Sequence, residues 1–332
     1  MTGPATSAPA TEVTVIVVSY NHRDYVAEAL DSIAAQTFPP RRIVVVDDAS
    51  TDDSTEVIDR WIEGHAHLDV HTMFHRSNTG LCTSLNEALA DVDTPLYTYL
   101  SADDRMLPHR LQAQLDRWEQ RDSPSCAVYS NALRIDEHGQ PLAPDYGTLN
   151  DWERVTSFEG RLHTELLKHN WIPAASVLLD TRAVRRVGAY NDEWFYEDHD
   201  LWLRLAATGD DILCVDQPLV AVRELRTSLG STHFGADKPL HLAARLGILL
   251  DQCGVSDAGD AYIRDTAPHL ALMLWRTGER PDLVARALAL PGVSSSPRWQ
   301  VRALLLRLGF AQEPRLLRRA TAGVRRRREL GG

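Results

Sequence analysis

The chain has 332 residues, of which 44% are hydrophobic and 24% are charged, a composition typical of a globular protein with about two domains. Lysine and arginine total 35 against 46 aspartate and glutamate residues, and the formal net charge of −11 argues against a general binder of polyanions. The four cysteines form no C-x-x-C pair, which argues against a zinc ribbon or a disulfide scaffold and favours a reducing cytoplasm.

Export and membrane-spanning signals are not found in the sequence. Residues 1–11 have neither a basic segment nor an apolar core, so they predict a short disordered leader. No window approaches the roughly 18 consecutive apolar residues that a spanning helix requires. We therefore expect a cytoplasmic protein, either soluble or peripheral at the inner face of the membrane.

Strands and helices are predicted to alternate along the first hundred residues. Continuous β-branched runs bounded by turn residues predict strands that are buried on both faces. The predicted strands cover residues 13–18, 43–47, 70–74 and 96–100. Apolar residues at helical spacing follow each of the first three strands, and Ser50 with Asp53 resembles a capping box at the start of the second helix.

The pattern continues less regularly to about residue 234. The predicted elements are a helix bearing Leu111, Leu115 and Trp118, a strand over 126–131, a surface excursion over 136–150, a strand over 175–179, a helix ended by Gly188, and strands near Ile212 and Leu219. This alternation predicts a doubly wound, mostly parallel α/β sheet of Rossmann type, with ligand sites at the carboxyl ends of its strands. Residues 12–234 would form this domain, and residues 235–332 a helical C-terminal region.

The phosphate-binding loops that often accompany such a sheet are missing from the sequence. The first turn reads Ser19-Tyr20-Asn21-His22 and has no glycine, and no G-x-x-x-x-G-K-[ST] loop occurs anywhere. Hydride transfer and P-loop phosphoryl transfer are therefore disfavoured.

Different side chains occupy the predicted strand ends. Tyr20 follows the first strand, Asp47 and Asp48 follow the second, and Asp103 and Asp104 follow the fourth. An aromatic ring can stack on a base, and a carboxylate can accept from a base N–H or hold Mg²⁺ or Mn²⁺ against a diphosphate. The alternative is that the tyrosine packs and that the first acidic pair caps the following turn.

Five segments carry a resemblance to a known family: V-V-S-Y-N-H, V-V-V-D-D-A-S, N-T-G-L-C-T-S-L-N-E-A, Y-L-S-A-D-D-R-M-L-P-H-R-L and Y-E-D-H-D-L-W-L-R-L. In this order, over residues 13–225, the sequence resembles a family 2 glycosyltransferase of the GT-A fold. The resemblance implies roles for six residues: Ser19, Tyr20, Asp48 and Asp103 at the nucleotide, Asp103 and Asp104 at a divalent metal, and Asp198 as catalytic base.

Two departures from the family pattern bear on the metal and the diphosphate. Ser101 stands where the family often has the first carboxylate of D-x-D-D, which weakens or replaces one ribose or metal contact. Residues 222–232 lack the histidine common in the corresponding family loop and have Arg226 nearby. That arginine can meet a diphosphate, or it can be a solvated loop side chain.

Asp198 carries the chemistry that the resemblance implies. Direct displacement at an anomeric carbon needs one base on the acceptor hydroxyl and inverts the configuration. Glu197 is expected to orient this base, and His199 to take no part. Acidic residues also favour a helix N-terminus for electrostatic reasons alone, which is the alternative explanation for the cluster.

The sequence as a whole therefore predicts an inverting transfer of sugar from a nucleoside-diphosphate donor, with UDP favoured, to a hydroxyl group. The acceptor would be a glycan, a lipid-linked saccharide or a small metabolite, in polysaccharide, glycolipid or secondary-metabolite glycosylation. A nucleotidyltransferase would be expected to have a glycine-rich, basic first loop, which is not found. A non-catalytic nucleotide-sugar-binding protein is the third hypothesis.

The C-terminal tail has a charge opposite to that of the rest of the chain. Residues 315–332 contain seven arginines and one glutamate, a net +6 against −17 for the other 314 residues. Basic residues near an anionic bilayer contribute about 1 kcal/mol each, so the tail predicts peripheral membrane contact. A solvated helix face is the alternative. Nucleic acid is not an expected partner, because the remaining charge repels a phosphate backbone.

Overall fold

The computed structural model describes residues 12–150, 161–226 and 238–310, together with residues 228, 235 and 312. The chain divides into two compact units, residues 1–228 and 229–332. In the described ranges, no helix combines the length and apolar character needed to cross a membrane.

The first unit is built on a mixed sheet of nine strands. The strands are β1 (Val13–Ser19), β2 (Arg42–Asp47), β3 (Val70–Phe74), β4 (Leu96–Ser101), β5 (Arg105–Met106), β6 (Ser125–Ile135), β7 (Pro141–Leu142), β8 (Leu178–Asp180) and β9 (Asp211–Arg223). The helices are α1 (Val26–Ala34), α2 (Ser54–Gly64), α3 (Leu81–Asp91), α4 (Arg110–Glu119), α5 (Tyr146–Leu149), α6 (Leu162–Lys168), α7 (Thr181–Arg186) and α8 (Glu197–Ala206). The strand order is β3-β2-β1-β4-β8-β6-β9-β5, and β7 pairs with β6.

The β3-β2-β1-β4 half of the sheet is parallel, as predicted. Every residue of β1 is buried. Helices and loops cover both faces of the sheet there, and a continuous run of valine and isoleucine places apolar side chains on both faces. In the register, Ser19 pairs with Asp47, and Val18 pairs with Ser101. The carboxyl ends of β1, β2 and β4 therefore lie side by side.

The other half of the sheet differs from the prediction in its direction and in its strand bounds. β8 pairs antiparallel with both β4 and β6. The predicted strand over 175–179 is wrong in part, since Ala174–Ser176 form a 3-10 helix and β8 begins at Leu178. The predicted strands near Ile212 and Leu219 are one strand, β9, whose pairing with β6 shifts register where Pro218, which has no N–H to donate, faces Asn131.

The predicted capping box of α2 is wrong. Asp53 occupies the N-cap position with φ of 63° and makes no side-chain capping bond. Ser50 instead gives its backbone N–H and its hydroxyl to Asp47, at 2.8 and 2.6 Å. Asp52 serves the start of the helix, since its Oδ1 accepts from the backbone N–H of Ser54 at 3.2 Å. The predicted excursion over 136–150 contains β7 and α5, so it is more regular than expected.

The second unit is helical in its described residues, as predicted for this part of the chain. Its helices are α9 (Pro239–Asp251), α10 (Asp257–Thr277), α11 (Pro281–Leu288) and α12 (Pro297–Arg307). Three of them begin with proline, whose fixed φ and missing N–H suit the first helical position. α10 begins at a capping bond from the Gly259 N–H to Ser256 and ends at Gly278, which has φ of 86°.

Candidate active site

The turn after β1 is sharp and is fixed to the loop after β2. Asn21 adopts a left-handed conformation with φ of 57°, which lets the chain reverse without glycine. Its backbone N–H donates to Ser50 Oγ at 2.8 Å, and its side-chain Oδ1 accepts from the Thr51 N–H at 2.8 Å. These cross-links hold Tyr20, which is exposed at the strand end, in a defined place.

Two buried polar atoms near the end of β1 have no hydrogen-bond partner among the described residues. They are Ser19 Oγ and His22 Nδ1. Leaving such an atom unsatisfied costs about 1–3 kcal/mol, and native structures contain few of them. Ser19 itself is fully buried at the carboxyl edge of the parallel strands. The two atoms mark this edge as a place where a polar ligand can be received.

Asp47 and Asp48 are both engaged by the protein. Asp47 closes the turn to Ser50, as the alternative interpretation expected. Asp48 Oδ1 accepts from the Thr79 N–H at 2.7 Å and from His75 Nδ1 at 2.8 Å, and its Oδ2 accepts from the Gly80 N–H at 2.8 Å. Burial alone would raise the pKa of Asp48, but these hydrogen bonds outweigh it and lower the pKa. Asp48 therefore ties the loop before α3 to the end of β2.

Asp103 and Asp104 lie in different surroundings although they are adjacent. Asp103 Oδ1 accepts from the Ser101 hydroxyl, and its Oδ2 lies 3.9 Å from His22 Nε2. Asp104 Oδ1 accepts from the Arg223 N–H at 2.8 Å. Burial and then the neighbouring Asp103 raise the pKa of Asp104 well above its ordinary value. Asp104 is held in the fold, while Asp103 belongs to the same edge as His22.

Arg223, at the end of β9, was not predicted to matter, yet it organises this edge. Its side chain is buried, its Nε donates to the Asp103 carbonyl at 2.8 Å, and its Nη1 donates to the Asp136 carbonyl at 3.0 Å. Its Nη2 pairs with Glu28 of α1, and its guanidinium lies 4.7 Å from the ring centroid of Tyr25. The only signal in the sequence is a charged residue that ends an apolar strand. The predicted Arg226 is exposed.

A metal ion would find few protein ligands here. No group of three or more His, Cys, Asp or Glu side chains in the described part of the chain is placed to hold one. Mg²⁺ needs only one or two carboxylates when substrate phosphates complete its shell. Asp103 could meet that requirement through its Oδ2, since its Oδ1 accepts from the Ser101 hydroxyl. Asp104 has its Oδ1 committed to the Arg223 N–H.

Asp198 stands in the first turn of α8, half-buried. Its Oδ2 accepts from Asn170 Nδ2 at 3.0 Å, and its Oδ1 accepts from the His199 N–H at 2.7 Å. Burial raises the pKa of Asp198 above its ordinary value, although both hydrogen bonds oppose the rise. Asn170 was missed by sequence reasoning, and its Oδ1 is buried with no partner in the described ranges.

Glu197 and His199 have roles within the fold. Glu197 is buried, and its Oε1 accepts from the Tyr99 hydroxyl of β4 at 3.2 Å. Burial and the adjacent Asp198 raise the pKa of Glu197. His199 Nε2 lies 2.7 Å from the carbonyl oxygen of Leu166 in α6, so the ring anchors one helix to another. The hydrogen bond from Tyr99 thus fixes the start of α8 beside β4, and Tyr99 lies two residues before Ser101 at the end of that strand.

Solved structures of glycosyltransferases share this fold. Staphylococcus aureus TarS residues 1–349, in complex with UDP-GlcNAc, superpose with a TM-score of 0.57 at 15% identity, covering 90% of this chain and 80% of that one. The mannosyltransferase PcManGT of Pyrobaculum calidifontis, in complex with GDP-Man and Mn²⁺, gives a TM-score of 0.58 at 18% identity, covering 90% and 85%. These likenesses confirm the predicted GT-A fold.

Curated relatives agree at the level of sequence. An uncharacterised glycosyltransferase of Rickettsia typhi is 26% identical over 196 residues, 58% of each chain. TuaG of Bacillus subtilis, named for teichuronic acid biosynthesis, is 25% identical over 227 residues, 68% of this chain and 84% of that protein. A Rickettsia felis glycosyltransferase is matched over only 31% of its length, so the chain spans less than two thirds of some relatives. The family model for glycosyl transferase family 2 matches residues 14–193, and the chain belongs to that family.

Proposed function

We propose that this chain transfers a sugar from a nucleoside-diphosphate donor, with UDP favoured, to a hydroxyl group with inversion of the anomeric centre. The observation that carries the proposal is the state of Asp198. It is a half-buried carboxylate whose pKa is raised, and it is held at a helix start by one side chain and one backbone N–H. A general base works best when its pKa approaches the operating pH.

Glu197 and Asp198 are expected to differ in their protonation state. Two adjacent buried carboxylates do not ionise together readily, so one retains a proton to a higher pH. Asp198 has two donors and partial exposure, which favour its charged form, while Glu197 is buried and receives one hydroxyl bond from Tyr99. We assign the base to Asp198 and a neutral, orienting role to Glu197.

The base would act on the acceptor hydroxyl directly. Asp198 removes the hydroxyl proton as the acceptor oxygen attacks the anomeric carbon, and the bond to the departing nucleoside diphosphate breaks. Asn170 keeps the carboxylate aimed through its 3.0 Å hydrogen bond. One displacement with one base inverts the configuration, which is the reason for proposing inversion.

The carboxyl ends of β1, β2 and β4 would receive the donor. Ser19 Oγ and Tyr20 are available there for the nucleotide. Both oxygens of Asp48 already accept hydrogen bonds from the loop before α3, so Asp48 could contact the nucleotide only through its remaining lone pairs. Asp103 would hold Mg²⁺ or Mn²⁺, with Asp104 as a supporting neighbour. Such an ion supplies charge neutralisation for the departing diphosphate. The complexes of TarS with UDP-GlcNAc and of PcManGT with GDP-Man and Mn²⁺ support this arrangement.

The proposed acceptor is a hydroxyl on a glycan or a lipid-linked saccharide. The match to TuaG, and a partial match to a teichoic acid poly(glycerol phosphate) polymerase of Staphylococcus epidermidis at 28% identity over 119 residues, support a place in surface-polymer assembly. We further propose that the chain acts in the cytoplasm at the inner face of the membrane, with its arginine-rich tail toward anionic lipid. The tail lies outside the described residues.

Thermal shift with nucleotides tests the donor assignment first. UDP, GDP, dTDP and their sugars are compared with and without Mn²⁺, because a ligand that binds only the folded chain stabilises it by RT ln(1 + [L]/Kd). UDP and its sugars should give the largest shift, and Mn²⁺ should enlarge it. Release of free nucleoside diphosphate from the preferred donor then separates an enzyme from a binding protein. Equal shifts for all bases, or binding without turnover on any hydroxyl acceptor, would contradict the proposal.

A further inference from the structure

The last described helix, α12, turns a row of apolar side chains to solvent. Val301, Leu304 and Leu308 are 49%, 57% and 66% exposed, and Phe310 beyond the helix end is exposed as well. Their spacing of three and four residues places the first three on one stripe of the helix surface. We call these three residues the α12 stripe. A contiguous exposed apolar stripe on a soluble unit marks an interaction surface.

The opposite face of α12 is the one that packs. Trp299 and Arg302 are more buried than the stripe, and the Trp299 ring lies 5.8 Å from the ring of His269 in α10. The Arg302 guanidinium lies 5.5 Å from the centroid of the same tryptophan. At about 100° per residue, these two positions lie about 100° to 180° around the helix from those of the α12 stripe. The helix is therefore attached to its unit by one side, and the stripe is the side left outward.

The charge around the stripe selects the partner. α12 contains no acidic residue, and two of its three arginines, Arg298 and Arg307, are exposed, whereas Arg302 is buried on the packed face. The following residues 315–332 add a net +6 to a chain whose remaining 314 residues carry −17. An exposed apolar stripe with exposed arginines at both ends of the helix suits the interface of an anionic bilayer, where the apolar side chains leave water and the arginines reach the headgroups. This positive charge favours an anionic surface over a neutral one.

We propose that α12 is a membrane-docking helix, whose stripe of Val301, Leu304 and Leu308 enters the headgroup region of an anionic bilayer. The inference deepens the membrane contact of the proposed function, and it assigns that contact to described residues rather than to the tail alone. The arginines supply long-range attraction, and the stripe supplies the part of the binding that salt does not screen. Docking in this way would hold the enzyme at the surface where a lipid-linked hydroxyl acceptor is presented.

Vesicle co-sedimentation of the full chain tests the assignment. The vesicles are phosphatidylcholine alone and phosphatidylcholine with phosphatidylglycerol at roughly 7:3. The double variant Leu304→Gln/Leu308→Gln should bind the anionic vesicles about tenfold more weakly or worse, since the variant no longer transfers two exposed leucine side chains from water into the bilayer. The matched control is Leu240→Gln/Val255→Gln, at 47% and 40% exposed positions of the same unit, and it should bind like the wild type.

Three results would overturn the inference. The wild type could fail to bind anionic vesicles, or the α12 stripe variant could bind them as the wild type does. Light scattering could instead show a dimer that the stripe variant dissociates, in which case the stripe joins two copies. Thermal unfolding of both variants, with turnover of donor on a soluble acceptor, shows that each is folded and active.

Deletion of residues 315–332 separates this inference from the tail contact. The deletion should weaken binding at low salt, and the α12 stripe variant should weaken the binding that persists at high salt. If the deletion removes all binding while the stripe variant binds normally, the membrane contact of the proposed function stands and the docking helix is wrong. Neither readout uses the sugar donor, so failure of the transfer chemistry would leave the vesicle result intact.

Discussion

Replacing Asp198 with asparagine should leave the fold and donor binding intact while nearly abolishing transfer. The amide has almost the volume of the carboxylate but cannot take a proton from an acceptor hydroxyl. Loss of a general base costs a factor of about 10² to 10⁴ in rate, or about 3–5 kcal/mol of barrier. The whole loss should appear in kcat, with donor KM unchanged, because the proton moves only in the transition state.

The surroundings of Asp198 explain why the variant should fold. An asparagine at 198 can keep its oxygen on the His199 N–H and turn its NH₂ toward Asn170. Two amide NH₂ groups would then face each other, but Asn170 can flip and present its Oδ1, which has no hydrogen-bond partner among the described residues. The flip restores this contact and places the Asn170 NH₂ in the buried position that its Oδ1 held without a partner, so the number of unpartnered buried groups there does not change.

The stability of this variant should depend on pH with a definite sign. Burial raises the pKa of Asp198, so the folded chain holds a proton that the unfolded chain has released. Wild-type stability therefore falls as pH rises from the ordinary carboxyl pKa of about 3.9 through the raised value. Asparagine removes this cost, and the Tm of the variant relative to the wild type should increase over the same interval and level off above it.

Steady-state kinetics, NMR of the product anomer and thermal unfolding between pH 4 and about pH 8 check these points together. Asp192→Asn is the control, an exposed acid in the segment before α8 that should behave as the wild type. A near-wild-type kcat in the Asp198 variant would show that Asp198 is not the general base. A product with retained anomeric configuration would contradict the single-displacement mechanism.

Two further predictions concern the strand-end carboxylates. Asp103→Asn should abolish the enhancement of UDP binding by Mn²⁺ in calorimetry, because the charge that holds the ion is gone; an unchanged metal response would move the role to Asp104. Asp48→Asn should lower the free energy of unfolding by about 3 kcal/mol at neutral pH, since the Thr79, Gly80 and His75 donors converge on its two oxygens. Because the pKa of Asp48 is lowered in the folded chain, this difference in stability should be present above the ordinary carboxyl pKa and should disappear as pH falls through the folded pKa. Chemical denaturation at several pH values measures it. A difference that does not change with pH would contradict the prediction.

The sequence predicted the structure best where the pattern of apolar residues is compatible with only one kind of element. β1 and β2 are short runs of valine and isoleucine with turn residues at both ends, and only a strand covered on both faces buries them all. Their parallel order followed from the helices between them. The region around β8 was harder, because its residues Leu178–Asp180 are too few to establish a period and its direction depends on pairing with β4 and β6.

For the candidate site, the sequence predicted where its residues lie better than it predicted their hydrogen-bond partners. Strand ends could be located from the sequence, so Ser19, Asp48 and Asp103 could be expected at one edge. Which atoms are already satisfied depends on neighbours far apart in the chain, such as Arg223 on Asp104 and Asn170 on Asp198. No spacing rule connects residues 119 or 28 positions apart, and their partnership emerges only when the sheet is closed.

Within the proposed site, the buried atoms without a hydrogen-bond partner are more specific candidates for ligand contact than the acidic residues are. Asp47, Asp48 and Asp104 all accept hydrogen bonds that hold loops in place, so an acid at a strand end is by itself ambiguous. Ser19 Oγ and Asn170 Oδ1 are different, because each is buried without a hydrogen-bond partner in the described part of the chain. Each carries a cost of about 1–3 kcal/mol that a nucleotide at β1 and a sugar or acceptor hydroxyl beside Asp198 would relieve. These two atoms are therefore the positions at which the proposed function would place the nucleotide and the acceptor hydroxyl.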